Sequence, residues 1–140
     1  MVYIYIGVGG FLGAIARFAL GQLIGTINQT AFPWGTLTIN LLGSFVLGFF
    51  LTVALEQLPI NAELRLGIAT GFLGAFTTFS TFMMEAFSLF ETGMPGLAIS
   101  YLLSSLVLGL ICVWLGVALA GVITALPEKD KLNRAEKRGE

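Results

Sequence analysis

The sequence predicts an all-α integral membrane protein with four spanning helices, the third of them broken near its middle. Three observations carry that expectation. Apolar residues make up 56% of the 140 and charged ones 11%, with a mean hydropathy of +0.92, far from a soluble globule. The apolar residues fall into four runs, each reaching the ~20 residues that cross a hydrocarbon core about 30 Å thick. The third run, residues 62–91, would be ~45 Å long as one straight helix, and its centre reads Gly71-Phe-Leu-Gly74-Ala-Phe-Thr77-Thr78-Phe79-Ser80-Thr81-Phe82. Glycine and clustered hydroxyls weaken a helix there, because hydroxyls compete for backbone carbonyls. Carbonyls freed by a break cannot face lipid, so the break must be buried in protein or line a water-filled path.

One domain fits this length: a four-helix transmembrane domain over residues 1–125 and a charged tail over 126–140. Five of the seven Lys and Arg residues (Lys129, Lys131, Arg134, Lys137, Arg138) lie in that tail, and only Arg17 and Arg65 lie elsewhere. The net charge of −1 therefore says little about partners, and no nucleic acid is expected. With no His and one Cys, zinc, haem and iron–sulfur sites are excluded, as is an internal disulfide. No cleavable signal is expected, since residues 1–10 lack a basic opening.

The first span, residues 2–25, carries Gly9-x-x-x-Gly13 and Gly21-x-x-x-Gly25, small-residue pairs that predict tight packing on a neighbouring helix. Gly7–Gly13 looks like a dinucleotide fingerprint, but Leu12 stands where the third glycine belongs. Arg17 interrupts the span. Either its guanidinium snorkels to the interface, or it points into an aqueous cavity as a fixed positive charge.

A polar turn, Thr26–Ala31, leads to Pro33, suited to the first turn of the second span, residues 33–55. Thr36, Asn40 and Ser44 recur at i, i+4 and form a polar stripe beside Gly43 and Gly48. An asparagine inside a spanning helix is costly unless its amide finds a partner. That partner is either another helix or an anion. Residues 56–65, with Pro59, form a loop outside the hydrocarbon.

In the second half of span three, Phe79 and Phe82 are neighbours at i, i+3, surrounded by the hydroxyls of Thr77, Thr78, Ser80 and Thr81, with Glu85 one turn on. Span four, residues 96–125, carries its own stripe at Tyr101, Ser105, Gly109 and Cys112. Beyond Pro127 the chain is charged, and a solvated or fraying tail is expected. Four spans put both termini and the 56–65 loop on one side. The tail would make that side cytoplasmic, whereas without it Arg65 is offset by Arg17 and the core shows no bias.

Three polar stripes need burial against something, and a homodimer is the simplest answer. Hydroxyl and amide donors, with the electropositive edges of phenylalanine rings and no His or Lys, favour a small desolvated anion. Carbonyls freed at the break favour a small cation nearby. Composition alone leaves anion, cation and proton traffic open. A proton-coupled exporter of cations would need a mid-span carboxylate, and Glu85, toward the end of span three, is the one candidate. A subunit that only packs against others would leave the Phe/Thr/Ser cluster without a role. No Ser-His-Asp or Cys-His set is present, so an enzyme is not expected.

Three stretches resemble one family. They are Gly13-Ala-x-x-Arg17-Phe18, Pro33-Trp-Gly-Thr36-Leu-Thr-Ile-Asn40-Leu-Leu-Gly43-Ser44, and Thr70 through Phe82 followed by Glu85. The family is the fluoride channels usually called Fluc or CrcB, and the resemblance covers residues 9–116. It implies a dual-topology, antiparallel homodimer in the cell (plasma or inner) membrane, with two pores that export cytoplasmic fluoride passively and selectively and so lower its toxicity. By similarity, Phe79 and Phe82 would be the "Phe-box" aromatics that meet fluoride with their ring edges. Asn40 would coordinate fluoride near an entrance. Tyr101, Ser105, Thr36 and either Ser80 or Thr81 would form the hydroxyl track. Glu85 would line the path or its vestibule, and Arg17 the vestibule wall. The carbonyls of Gly74 and Thr77 from both subunits would hold one structural Na⁺.

Overall fold

Hydropathy forms the helices, and glycine decides how closely they meet. A computed structural model of the chain describes residues 1–56 and 60–138. Pro59, expected in a loop, lies outside the described residues, as do the last two residues of the tail. Four helical segments are long and apolar enough to cross a membrane: Val2–Ile27, Trp34–Leu55, Ala62–Glu91 and Pro95–Ala125. Outward-facing Phe11, Leu110 and Trp114, 65–67% exposed, present an apolar surface that suits lipid rather than water. The chain is a multi-pass membrane protein.

Helix α1 (Val2–Ile27) packs along the third span through opposed glycines. A Cβ at Gly9 would overlap the Gly67 carbonyl oxygen, and one at Gly13 the Phe72 carbonyl oxygen. From the other side, a Cβ at Gly71 would come within 2.7 Å of the Ile6 carbonyl oxygen. The expected close packing is therefore met by a second pair, Gly67 and Gly71. Gly21 and Gly25 behave differently. Gly21 has only the tip of Ile39 near it, at 3.7 Å, and Gly25 opens on nothing within 4 Å, because this end of α1 borders a cavity.

Helix α2 (Trp34–Glu56) starts one residue after Pro33, whose carbonyl accepts from Leu37 N. It lies against the last helix, α6 (Pro95–Arg138), through Gly48 and Gly116. A Cβ at Gly116 would overlap the Phe45 carbonyl oxygen, and one at Gly48 would come 2.7 Å from that of Val113.

The third span is assembled from pieces. Helix α3 (Ala62–Leu66) is capped by Asn61, whose side chain accepts from Leu64 N at 2.9 Å, so helix begins inside the expected 56–65 loop. A π-helical stretch, Gly67–Leu73, follows; nothing in the sequence pattern predicted it. After α4 (Gly74–Phe76) the backbone turns extended at Thr77 (ψ 158°) and Thr78 (φ −146°, ψ 123°), and α5 (Phe79–Glu91) resumes the span. The break falls at the expected hydroxyl cluster.

Gly93 turns the chain at φ 75°, a conformation glycine adopts without strain. Helix α6 (Pro95–Arg138) then runs on through the charged segment to Arg138. Leu37, Ala86, Leu89, Ala98 and Tyr101 form a buried cluster between α2, α5 and α6, with Phe32 and Phe82 packed on it.

Candidate functional site

The break is held open by Asn40. Its Nδ2 donates to the Thr78 carbonyl at 2.9 Å, and its Oδ1 accepts from Thr78 N at 2.8 Å. One amide thus satisfies both backbone groups of the residue at which the helix parts. The Thr78 hydroxyl caps α5, accepting from Thr81 N at 3.3 Å and donating to Thr81 Oγ1 at 3.0 Å. In a continuous helix Thr78 N would reach Gly74, and Thr81 N would reach Thr77. Both donors go elsewhere, which leaves the Gly74 and Thr77 carbonyls free to accept. Oxygen donors of that kind suit a hard monovalent cation. Gly74 is exposed.

Two cavities flank Thr78, which contributes to both. The first, about 410 Å³, is lined by Asn40, Ser44, Phe79, Phe82 and Ser105 together with Gly74 and Thr77. No charged side chain lines it. The Phe79 and Phe82 ring centroids are 6.0 Å apart at 47°, and Phe82 meets Tyr101 at 5.0 Å in an edge-on arrangement. Phe79 is 74% exposed in the single chain. The hydroxyls of Thr77 and Thr78 are engaged, the first with the Leu73 carbonyl at 2.9 Å. The Ser105 hydroxyl is not. It is buried and has no hydrogen-bond partner among the described residues.

The second cavity, about 440 Å³, is lined by Arg17, Trp34, Thr36, Thr78, Thr81 and Glu85 among others. Here the Glu85 carboxylate is clamped by two hydroxyls. Thr36 Oγ1 donates to Oε1 at 2.9 Å, and Tyr101 OH, on a fully buried side chain, donates to Oε2 at 2.8 Å. Arg17 shares this cavity with Glu85. Of the two readings of Arg17, the structure favours the cavity wall.

Most of the residues singled out in the sequence line one of these two cavities. Asn40, Phe79, Phe82, Ser105, Gly74 and Thr77 gather at the first. Thr36, Thr81, Glu85 and Arg17 gather at the second. Tyr101 reaches the second through Glu85. Ser80 is exposed and only grazes Thr78, at 3.5 Å. Two residues were missed as members of the site. Thr78 is its hub, and the signal was present: a threonine immediately before an apolar helical run is an N-cap pattern. Ser44 was seen in the α2 stripe but not assigned to the lining.

Residues 4–117 match the family model described as "CrcB-like protein, Camphor Resistance (CrcB)". The "Fluoride-specific ion channel FluC 1" of Moorella thermoacetica is 48% identical over 120 residues, 86% of each chain. The "Fluoride-specific ion channel FluC" of Acidobacterium capsulatum is 43% identical over 125 residues, 89% of this chain and 100% of that one. The protein of the same name from Opitutus terrae is 44% identical over 117 residues, 82% of this chain and 89% of that one.

Proposed function

This chain belongs to the CrcB family, and from that membership we propose that it is a passive, selective fluoride channel, as its FluC relatives are named. The single observation that best supports the reading is the buried, unpartnered Ser105 hydroxyl in an uncharged cavity beside the Phe79–Phe82 pair. A buried hydroxyl without a partner is costly unless a ligand completes it. A desolvated anion accepts from hydroxyl and amide donors and from ring edges, and gains nothing from a carboxylate. Glu85, the one membrane carboxylate an exporter of cations would use, already accepts from two hydroxyls at the neighbouring cavity.

In this reading fluoride passes between the Arg17 cavity and the Phe79–Phe82 cavity, across the wall that Thr78 and Asn40 form. Asn40 keeps one amide N–H beyond the one given to Thr78 and offers it to the ion. Fluoride taken up as membrane-permeant HF from acidic surroundings is expelled as the anion by an inside-negative potential, so passive exit suffices. The exposed Phe79, Gly74, Ser80 and Thr81 are covered by a second subunit in an antiparallel homodimer with two pores. The freed Gly74 and Thr77 carbonyls of the two subunits would hold one Na⁺, which would offset their partial negative charge; the donor set fits, since those carbonyls lose their helical N–H partners.

The test is fluoride efflux from liposomes holding purified protein, with potassium and valinomycin setting the potential and chloride measured alongside. Fluoride release driven by potential alone, with chloride retained, is expected. Release that needs a proton gradient, or none from a folded dimer, overturns the reading.

A further inference from the structure

We propose that Ser44 is a second hydroxyl station for the anion, one helical turn beyond Asn40 and Ser105, supplied by α2 where α6 has none. The proposal rests on the channel reading and adds a residue to its path. Three observations lead to it.

Hydroxyls in helices usually fold back on the carbonyl three or four residues earlier. Thr52, Thr77, Ser100 and Ser104 do so here, at 2.9–3.1 Å. Ser44 makes no hydrogen bond to any described residue, although it sits within a continuous helix with the Asn40 carbonyl in reach. In this it matches Ser105, and both side chains line the same cavity of about 410 Å³.

Ser44 also falls on the right face. Asn40 and Ser44 stand at i, i+4 on α2, as Ser105 and Gly109 do on α6. Helices α2 and α6 run side by side in one register. Thr36 and Tyr101 meet at the Glu85 carboxylate, and just over three turns on Gly48 meets Val113. That register puts Asn40 level with Ser105, and Ser44 level with Gly109.

Gly109 itself offers no donor, and a Cβ there would meet nothing within 4 Å. At this level the cavity therefore has one hydroxyl, that of Ser44. An anion leaving the Asn40–Ser105 level has no other uncommitted side-chain donor among the lining residues. A hydroxyl donates one hydrogen bond, enough to hand the ion across one turn, about 5.4 Å.

The experiment removes the hydroxyl and then keeps it on a different side chain. Fluoride efflux under a valinomycin potential is compared for the full-length protein, Ser44→Ala and Ser44→Thr, each confirmed monodisperse. Ser44→Ala is expected to slow efflux about fivefold, the worth of one hydrogen bond. Ser44→Thr, which keeps the hydroxyl at the cavity, is expected to stay within about twofold of the unaltered protein. Ser44→Ala at the unaltered rate overturns the proposal. Ser44→Thr as slow as Ser44→Ala also overturns it, by showing that Ser44 acts through packing. Silence of the unaltered protein would instead remove the channel reading itself.

Discussion

Asn40→Asp is the substitution that separates a brace from a bystander. The two side chains have nearly the same shape, so packing is preserved and only hydrogen-bond polarity changes. The Oδ1 that accepts from Thr78 N is kept, while the Nδ2 that donates to the Thr78 carbonyl becomes a second oxygen. The carbonyl then loses its partner and faces an oxygen at roughly the former 2.9 Å. Leaving such a group unsatisfied costs about 1–3 kcal/mol, more if the new carboxylate is charged. If the broken form must be populated for conduction, that penalty lowers flux about 5- to 150-fold. The remaining amide N–H, offered to the anion, is lost as well, so the effect should fall at the upper end. Fluoride efflux from liposomes measures it, with a thermal unfolding curve in detergent to read the stability loss. Asn40→Asp conducting within about threefold of the unaltered protein would refute both the brace and the ligand role. Conversely, Asn40→Ser with normal flux would show that Thr78 needs no paired partner.

Two further predictions rest on particular contacts. Phe79→Ile and Phe82→Ile should each cut fluoride flux at least about tenfold with the dimer still assembled on size exclusion. Only Phe82→Ile should also lower stability, by about 1 kcal/mol, because its ring is packed edge-on against Tyr101 while Phe79 is 74% exposed. Gly13→Val and Gly116→Val should reduce the yield of monodisperse protein, since each new Cβ would overlap a backbone carbonyl that cannot move aside, costing about 1–3 kcal/mol. Gly25→Ala, with nothing within 4 Å of its Cβ, should be silent in the same assay.

Local chemistry alone determined much of this molecule. Four runs of apolar residues became four spanning segments, because a lipid environment leaves a chain little choice but helix. The break in the third span was legible for the same reason. Glycine and consecutive threonines weaken a helix wherever they occur, and the extended residues are Thr77 and Thr78. The pairing of Phe79 with Phe82 follows from helical spacing.

What the tertiary structure decided is who meets whom. Gly9 and Gly13 announce a close neighbour, but only the packed chain names it as Gly67 and Gly71, while the similar pair at Gly21 and Gly25 borders a cavity. Asn40 left two partners open; its amide reaches Thr78, 38 residues along the chain. Glu85 is held by Thr36, 49 residues away, and by Tyr101 on another helix. The π-helical stretch had no sequence signal; it contains Gly67 and Gly71, the glycines that lie against α1. Apolar periodicity encodes which face of a helix is buried and carries no information on the register between helices. That register depends on backbone approach at the glycines, and it sets Ser105 and Ser44 at one cavity and Arg17 and Glu85 at the next.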